Sequence, residues 1–363
     1  VKTSEAYLVL NMLRGLGPLR VGALISKLGS ATNVLTATRH DLLAVPGIGP
    51  QLAANIHNWR QNVDWEGELK AIEAAGARLI TREDADYPEP LRQITDAPLV
   101  LYVKGSLERT DFPAVAVVGV RQPTHYGSNT AKKIAYQLSY SGLTVVSGLA
   151  RGVDACAHQA ALAAKGRTIA VIGSGLNCLY PPEHDELADR ICDSGALLSE
   201  FPMNLQADKR TFPMRNRIVS GLSVGVLVIE AGDTSGALIT ANMAAEQGRT
   251  VYAVPGKIDS PKSKGTNRLI QSGAKLVTSA ADILDDFGLL FRDPPRLRPK
   301  PRPNNLSPDE LQIYEALGDD EIDFDAIIAR SGLPTPQVSS TLLALEIRKL
   351  VKTLPGGRYV KLN

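Results

Sequence analysis

Six short segments of this chain each follow an apolar, β-branched run, and together they hold residues suited to binding anions. They are Gly119-Val120-Arg121, Ser147-Gly148-Leu149-Ala150-Arg151-Gly152-Val153-Asp154, Gly173-Ser174-Gly175, Glu200-Phe201-Pro202, Glu230-Ala231 with Ser235-Gly236-Ala237, and Pro255-Gly256. Glycine lets backbone amides approach a phosphate closely, and a helix starting just beyond such a loop adds unpaired N–H groups and a favourable dipole. Arg121 and Arg151 lie inside these loops, where a phosphate would satisfy the guanidinium fork. A carboxylate such as Glu200 or Glu230 could satisfy it instead, and tight turns need glycine with or without a ligand. A further segment, Lys209-Arg210-Thr211-Phe212-Pro213-Met214-Arg215-Asn216-Arg217, packs four cations and an aromatic ring into nine residues. Cations directed at phosphates beside a ring on which a base can stack are the recurrent means of holding a single-stranded nucleic acid. The competing structural reading makes Phe212 a core residue and the charges a solvated face.

Several chemistries lack their residues. No G-x-x-x-x-G-K-[ST] occurs, so P-loop phosphoryl transfer is unsupported. Cys178 stands where a dinucleotide fingerprint starting at Gly173 would need its third glycine. Neither Ser147 nor Ser235 lies in a G-x-S-x-G elbow. Asp154 and His158, four residues apart, share a helix face and read as a helix cap and a packing residue. The histidines at 40, 57, 125, 158 and 184 never fall in metal-ligand spacing, so neither a metal nor another cofactor is expected.

The elements that must carry these loops are legible from periodicity. Strands are expected at Ala114–Val118, Thr144–Ser147, Thr168–Ile172, Ala196–Ser199, Val224–Ile229, Thr250–Val254 and Lys275–Thr278. Helices are expected between them, at Ser128–Ser141, Ala155–Ala164, Leu238–Gln247 and Ala280–Phe287. Repeated strand and helix units make an α/β, Rossmann-like, doubly wound and mostly parallel sheet, whose ligands sit beyond the carboxyl ends of the strands. Before it, Arg14-Gly15-Leu16-Gly17-Pro18 and Val45-Pro46-Gly47-Ile48-Gly49-Pro50 repeat one hairpin turn, each followed by a short helix. This predicts a small all-helical domain over residues 1–64, with the core at 65–291. A Pro/Arg-rich linker follows at 292–306, and three helices plus a hairpin at 307–363 read as a winged helix.

The 363 residues suit such a multidomain chain, and 40 Lys+Arg against 38 Asp+Glu leave a formal charge of +2, so affinity for a polyanion must come from local patches. The tail from Ser307 holds nine acids against six bases and is expected to meet protein rather than duplex DNA. Three cysteines in no paired pattern fit a reducing cytoplasm, and neither a leader peptide nor a membrane span is expected.

Taken in order, the motifs resemble the DNA-processing protein A family, DprA/Smf. The resemblance runs through Val118-Gly119-Val120-Arg121, Ser147 to Asp154 with His158, and Ala170 to Leu176 with Tyr180-Pro181. It continues through Ser199-Glu200-Phe201-Pro202, Phe212 to Ser223, Ser235-Gly236-Ala237-Leu238-Ile239-Thr240, and Ala253-Val254-Pro255-Gly256. It implies a SAM-like or helix-hairpin-helix N-terminal domain, a homodimer formed through the Rossmann-like domain, and cooperative binding of single-stranded DNA. It also implies loading of the RecA recombinase, during natural transformation, onto DNA otherwise held by single-strand-binding protein, without catalysis. By the resemblance Arg121, Lys209 and Phe212 line the DNA pocket, with Gly119, Ser147 and Arg151 beside them. Gly148, Arg215, Asn216, Arg217, Ser235 and Gly236 complete the expected DNA-binding set. Ala237 departs from the family's Ser-Gly-Ser and removes a hydroxyl. The Pro46-Gly47-Ile48-Gly49 hairpin is open between DNA-backbone and packing roles. An enzyme reading stays open beside this one: similar cores include phosphoribohydrolases, in which Glu200 or Glu230 would be the acid/base. A transcription regulator acting through the wing is a third reading, disfavoured by the acidic tail.

Overall fold

A computed structural model describes residues 1–287, 306–317, 321–348 and 350–362. The chain divides into two compact units, Val1–Pro295 and Arg296–Asn363. All of the linker expected at 292–306 except Leu306 lies outside the described residues, as do Asp319, Asp320 and Lys349 of the tail.

The first unit begins with seven helices: α1 Thr3–Met12, α2 Pro18–Leu28, α3 Ala31–Thr36, α4 Arg39–Leu43, α5 Pro50–His57, α6 Trp59–Asn62 and α7 Trp65–Ala74. The repeat seen in the sequence is a repeat in the backbone. Gly15 and Gly47 turn the chain at φ +82° and +84°, a region open to glycine, and Gly17 and Gly49 precede helices α2 and α5, which start on proline. These helices bury Leu8, Leu24, Ile56 and Trp59 in one hydrophobic cluster that also contains Val100, Tyr102 and Met203. Asn11 donates to the Glu200 carbonyl at 2.9 Å, and the Glu68 carboxylate accepts the Met203 amide at 2.6 Å. The helical segment therefore shares its core with the edge of the sheet.

The sheet has nine strands: β1 Arg78–Thr81, β2 Val100–Gly105, β3 Ala114–Val118, β4 Thr144–Ser147, β5 Thr168–Val171, β6 Ala196–Ser199, β7 Gly225–Val228, β8 Thr250–Ala253 and β9 Lys275–Leu276. Their order is β1-β2-β6-β5-β4-β3-β7-β8-β9, parallel from β6 to β9, with β1 and β2 antiparallel at one edge. The two edge strands were not among the seven expected. Their stretch carries Pro88, Pro90 and Pro98, which interrupt the alternation that marks a strand. Helices α8 Glu89–Arg92, α9 His125–Tyr140, α10 Val153–Ala163, α11 Asp185–Ser194, α12 Thr211–Gly221, α13 Gly236–Glu246, α14 Lys264–Gln271 and α15 Ala281–Leu284 accompany the sheet. Alternation along β3 decides which face meets which layer. Val115 and Val117 pack with α9, α10 and α15, while Ala114, Ala116 and Val118 pack with α8, α12 and α13.

The chain runs outward from β3 through β4, β5 and β6, then returns to the other side of β3 as β7. The loops leaving β3 and β7 thus diverge, and such a switch point opens a crevice at the strand ends.

The second unit contains α16 Pro308–Ala316, β10 Ile322–Asp323, α17 Phe324–Ser331, α18 Thr335–Ile347, β11 Val351–Leu354 and β12 Arg358–Lys361. Its strands order β10-β12-β11, and Ile313, Ile327, Leu342, Leu345 and Val351 close a core of its own, giving the winged helix. No described helix is long and apolar enough to cross a membrane.

Candidate nucleic-acid interface

The crevice at the switch point is a cleft of about 510 Å³. The loop after β3 supplies Gly119 and Arg121, the loop after β4 supplies Gly148, and the start of α13 supplies Ser235 and Gly236. Ser235 caps α13, its hydroxyl accepting the Ala237 amide at 3.4 Å, so the positive end of that helix opens on the cleft. Ala237 lines the wall without a hydroxyl, but Thr234 and Thr240 line it as well.

Helix α12 forms another wall, and its pitch sorts the segment that the sequence left unsorted. Phe212, Arg215, Asn216 and Val219 recur at the spacing of one helix face and line the cleft. Pro213, Met214 and Arg217 lie on the other side, along a separate groove with Leu19 and Met243. Arg217 is therefore corrected as a phosphate ligand. Its side chain is 8% exposed, with Nη2 donating to Glu200 Oε1 at 2.5 Å and Nε 3.2 Å from Asp96. Burial pushes the Glu200 carboxyl up, and the Arg217 guanidinium draws it back.

Arg215 remains at the cleft but is buried. Its Nη1 donates to the Val171 carbonyl at 2.6 Å, and its Nε has no hydrogen-bond partner among the described residues. A Cβ at Gly148 would lie 1.7 Å from this guanidinium, so any other residue there would displace Arg215. Nearby, the Asp154 carboxylate accepts the Gly148 and Ala150 amides at 3.1 and 3.3 Å, fixing the loop. Desolvation raises the Asp154 carboxyl against the pull of Arg215. Ser147 is likewise corrected: it is fully buried, and its hydroxyl donates to the Val117 carbonyl at 2.7 Å. Lys209 is exposed and is not among the residues lining the cleft.

Beside the cleft four side chains form a row. The Arg121 guanidinium lies 5.4 Å from the Phe212 ring centre, Phe212 lies 5.8 Å from Tyr180, and Tyr180 lies 5.8 Å from the Arg151 guanidinium. Arg151 is also paired with Glu183, while half of its side chain stays exposed. Sequence named Tyr180 only as part of a family motif and not as a DNA-binding residue, and Lys262 not at all. The signal for Tyr180 was its position before Pro181 at the end of the loop from β5. Lys262 lines the cleft from the distant loop before α14, its ammonium donating to the Gln122 carbonyl at 2.5 Å.

The carboxylates required by the enzyme reading are committed elsewhere. Glu230 accepts the Thr124 amide at 2.8 Å and the Thr124 hydroxyl at 2.5 Å, which anchors the start of α9, and Glu200 is locked to Arg217. His158 is fully buried, with Nδ1 2.7 Å from the Thr168 hydroxyl and Nε2 without a hydrogen-bond partner among the described residues. Burial pulls its imidazole down to about 3. An unfolded histidine titrates near 6.5, so the unfolded state takes up the proton first as pH falls. The contribution of neutral His158 to stability is then complete above about 6.5 and shrinks by about 1.4 kcal/mol per pH unit towards 3. The difference in unfolding free energy between wild type and His158→Gln, followed by denaturant titration from pH 7 to 5, should narrow or reverse by that slope. A constant difference would show that His158 does not titrate in this way.

In the second unit, α18 holds the recognition position of a winged helix but contains no Lys or Arg and exposes Leu343 and Ile347. Two of the unit's cations, Arg348 and Arg358, are paired with Glu310 and Glu321.

Against known proteins, residues 78–288 match the family described as DNA recombination-mediator protein A, and residues 297–357 match the DprA winged helix domain. Protein Smf of Escherichia coli K12 is 41% identical over 308 residues, spanning 82% of this chain and 81% of that protein. DNA processing protein DprA of Streptococcus pneumoniae is 48% identical over 204 residues, 56% of this chain and 72% of its own. The X-ray structure of the S. pneumoniae protein superposes with a TM-score of 0.70 at 36% identity, covering 79% of this chain and 98% of that one. A Helicobacter pylori DNA processing protein A, whose structure concerns its single-stranded DNA binding mode, superposes at 0.54 with 28% identity over 60% of this chain and 99% of that one. This chain belongs to the DNA recombination-mediator protein A family.

Proposed function

We propose that this protein binds single-stranded DNA along the strand-end crest and acts as a non-catalytic mediator. In this reading it protects incoming DNA and loads RecA onto it in the cytoplasm during natural transformation, displacing single-strand-binding protein and working as a homodimer through the Rossmann-like unit. The observation that carries the binding step is the row Arg121, Phe212, Tyr180 and Arg151 beside a cleft roofed by the start of α13. Two rings offer faces to bases, two guanidinium groups offer charge to phosphates, and the cleft offers backbone amides. The single-stranded DNA binding of the H. pylori relative supports the same ligand. Gly119, Gly148, Asn216, Ser235 and Gly236 belong to this surface, with Arg215 as a buried charge beneath it.

The test is a titration with one oligonucleotide, as single strand and as duplex, at two salt concentrations. The expected result is a strong preference for the single strand and an affinity that falls steeply with salt, the log–log slope being about −0.7 for each phosphate engaged. Equal affinity for both forms, or none, would sink the reading. Release of free base from AMP, abolished in Glu230→Gln, would then favour the enzyme. RecA loading is tested next, as recovery of strand exchange on DNA already coated with single-strand-binding protein.

A further inference from the structure

Between Phe112 and Pro182 the only acidic residue is Asp154, against the six cations Arg121, Lys132, Lys133, Arg151, Lys165 and Arg167. Asp154 is buried, so the surface of this stretch is free of carboxylates. Helix α9 belongs to it, starts four residues after Arg121 behind its cap Thr124, and leads away from the crest. Ala131, Ile134, Ala135 and Leu138 bury its inner face, leaving Lys132, Lys133, Tyr136 and Tyr140 exposed on the outer one.

The two tyrosines are more than a scatter of surface residues. Their rings are nearly parallel, at 8°, with centres 6.1 Å apart, and they are 42% and 41% exposed. Neither their hydroxyls nor the two lysines have a hydrogen bond or ion pair among the described residues. Two acids of the same layer are occupied: Asp282 accepts the Thr278 and Ser279 amides, and Asp286 holds Lys275 and Tyr252. Exposed aromatic faces beside uncompensated ammonium groups, continuous with an anion-binding crest, have the chemistry that recognises bases and phosphates of a flexible strand.

We propose that the outer face of α9 is a second contact surface for single-stranded nucleic acid, on which a strand leaving the crest stacks its bases on Tyr136 and Tyr140 and sets its phosphates against Lys132 and Lys133. This rests on the crest being the primary site. From Thr124 to Tyr136 the helix rises roughly 18 Å, twelve residues at ~1.5 Å each. At ~3.4 Å per stacked nucleotide, that distance takes about five nucleotides beyond the crest.

The experiment compares oligothymidylates of about five and about fifteen nucleotides on the full chain. The proteins are wild type, Tyr136→Ala/Tyr140→Ala, Tyr136→Phe/Tyr140→Phe and Lys132→Ala/Lys133→Ala, with self-association followed by light scattering. The alanine pair of tyrosine variants should lose about thirtyfold or more in affinity for the long strand with its salt slope kept, and the phenylalanine pair should retain it. The lysine variant should reduce the slope on the long strand by roughly 1.4. All variants should bind the short strand as wild type does. Long-strand binding untouched by the alanine pair would overturn the proposal and leave the crest reading standing. Weakened self-association at unchanged DNA affinity per protomer would make the patch a protein interface, also against it. Failure of wild type to bind either strand would remove the crest reading and this extension with it.

Discussion

Arg217→Ala should lower the unfolding free energy by about 3 to 5 kcal/mol, among the largest losses available to a single side chain, while leaving intrinsic affinity for single-stranded DNA little changed in the molecules that fold. The substitution strands the Glu200 carboxylate, which is 6% exposed and reaches Arg217 at 2.5 Å. A buried charge without its partner costs far more than the pair contributes, because desolvation is no longer offset. Removing both charges should therefore recover most of the loss, so Arg217→Met with Glu200→Leu is expected to be much more stable than Arg217→Ala alone. Denaturant titration of the three proteins reads this directly. A loss below about 1 kcal/mol in Arg217→Ala, together with a reduced salt slope of DNA binding, would return Arg217 to the phosphate role that its sequence suggested.

Phe212→Ala should weaken single-stranded DNA binding by about 1 to 3 kcal/mol, the value of one stacked base, with the salt slope unchanged. Arg121→Ala should differ in kind: affinity falls, and the slope falls by about 0.7 because one phosphate contact is gone. The two side chains touch, the guanidinium lying 5.4 Å from the ring centre, so the double variant should lose less than the sum of the single losses. Equal salt slopes in wild type and Arg121→Ala would exclude a direct phosphate contact. An unchanged affinity in Phe212→Ala would exclude stacking at that ring.

These two predictions separate residues that lay side by side in one basic segment. Residues two apart on an α-helix point roughly 200° from one another, so Arg215 and Arg217 cannot both serve one phosphate. Helix α12 starts at Thr211 and carries both arginines. Pro213 falls in the first turn of α12, where its missing N–H costs nothing, so it marks the start of a helix rather than a break. Asp96 and Glu200, the partners of Arg217, are 121 and 17 residues away in the chain, and no local pattern announces them.

The sequence by itself determined the parallel strands, the glycine turns and the family. Each of these is written in short-range signals, a period of two, a period of 3.6 or a residue able to adopt positive φ, and β3, β4 and β6 lie where the pattern placed them. It also determined the winged helix, whose core of Ile313, Ile327, Leu342 and Val351 follows from the same periodicities. Tertiary structure alone decided which charged residues have solvent and which have partners. Glu230 looked like a candidate acid/base and is an anchor for Thr124, Ser147 looked like a ligand and is a buried donor, and Tyr180, legible only as part of a motif, joins the row beside the cleft. The cost of burying a charge or a hydroxyl is settled by whatever group the fold brings within about 3 Å, and that group is usually remote in the chain.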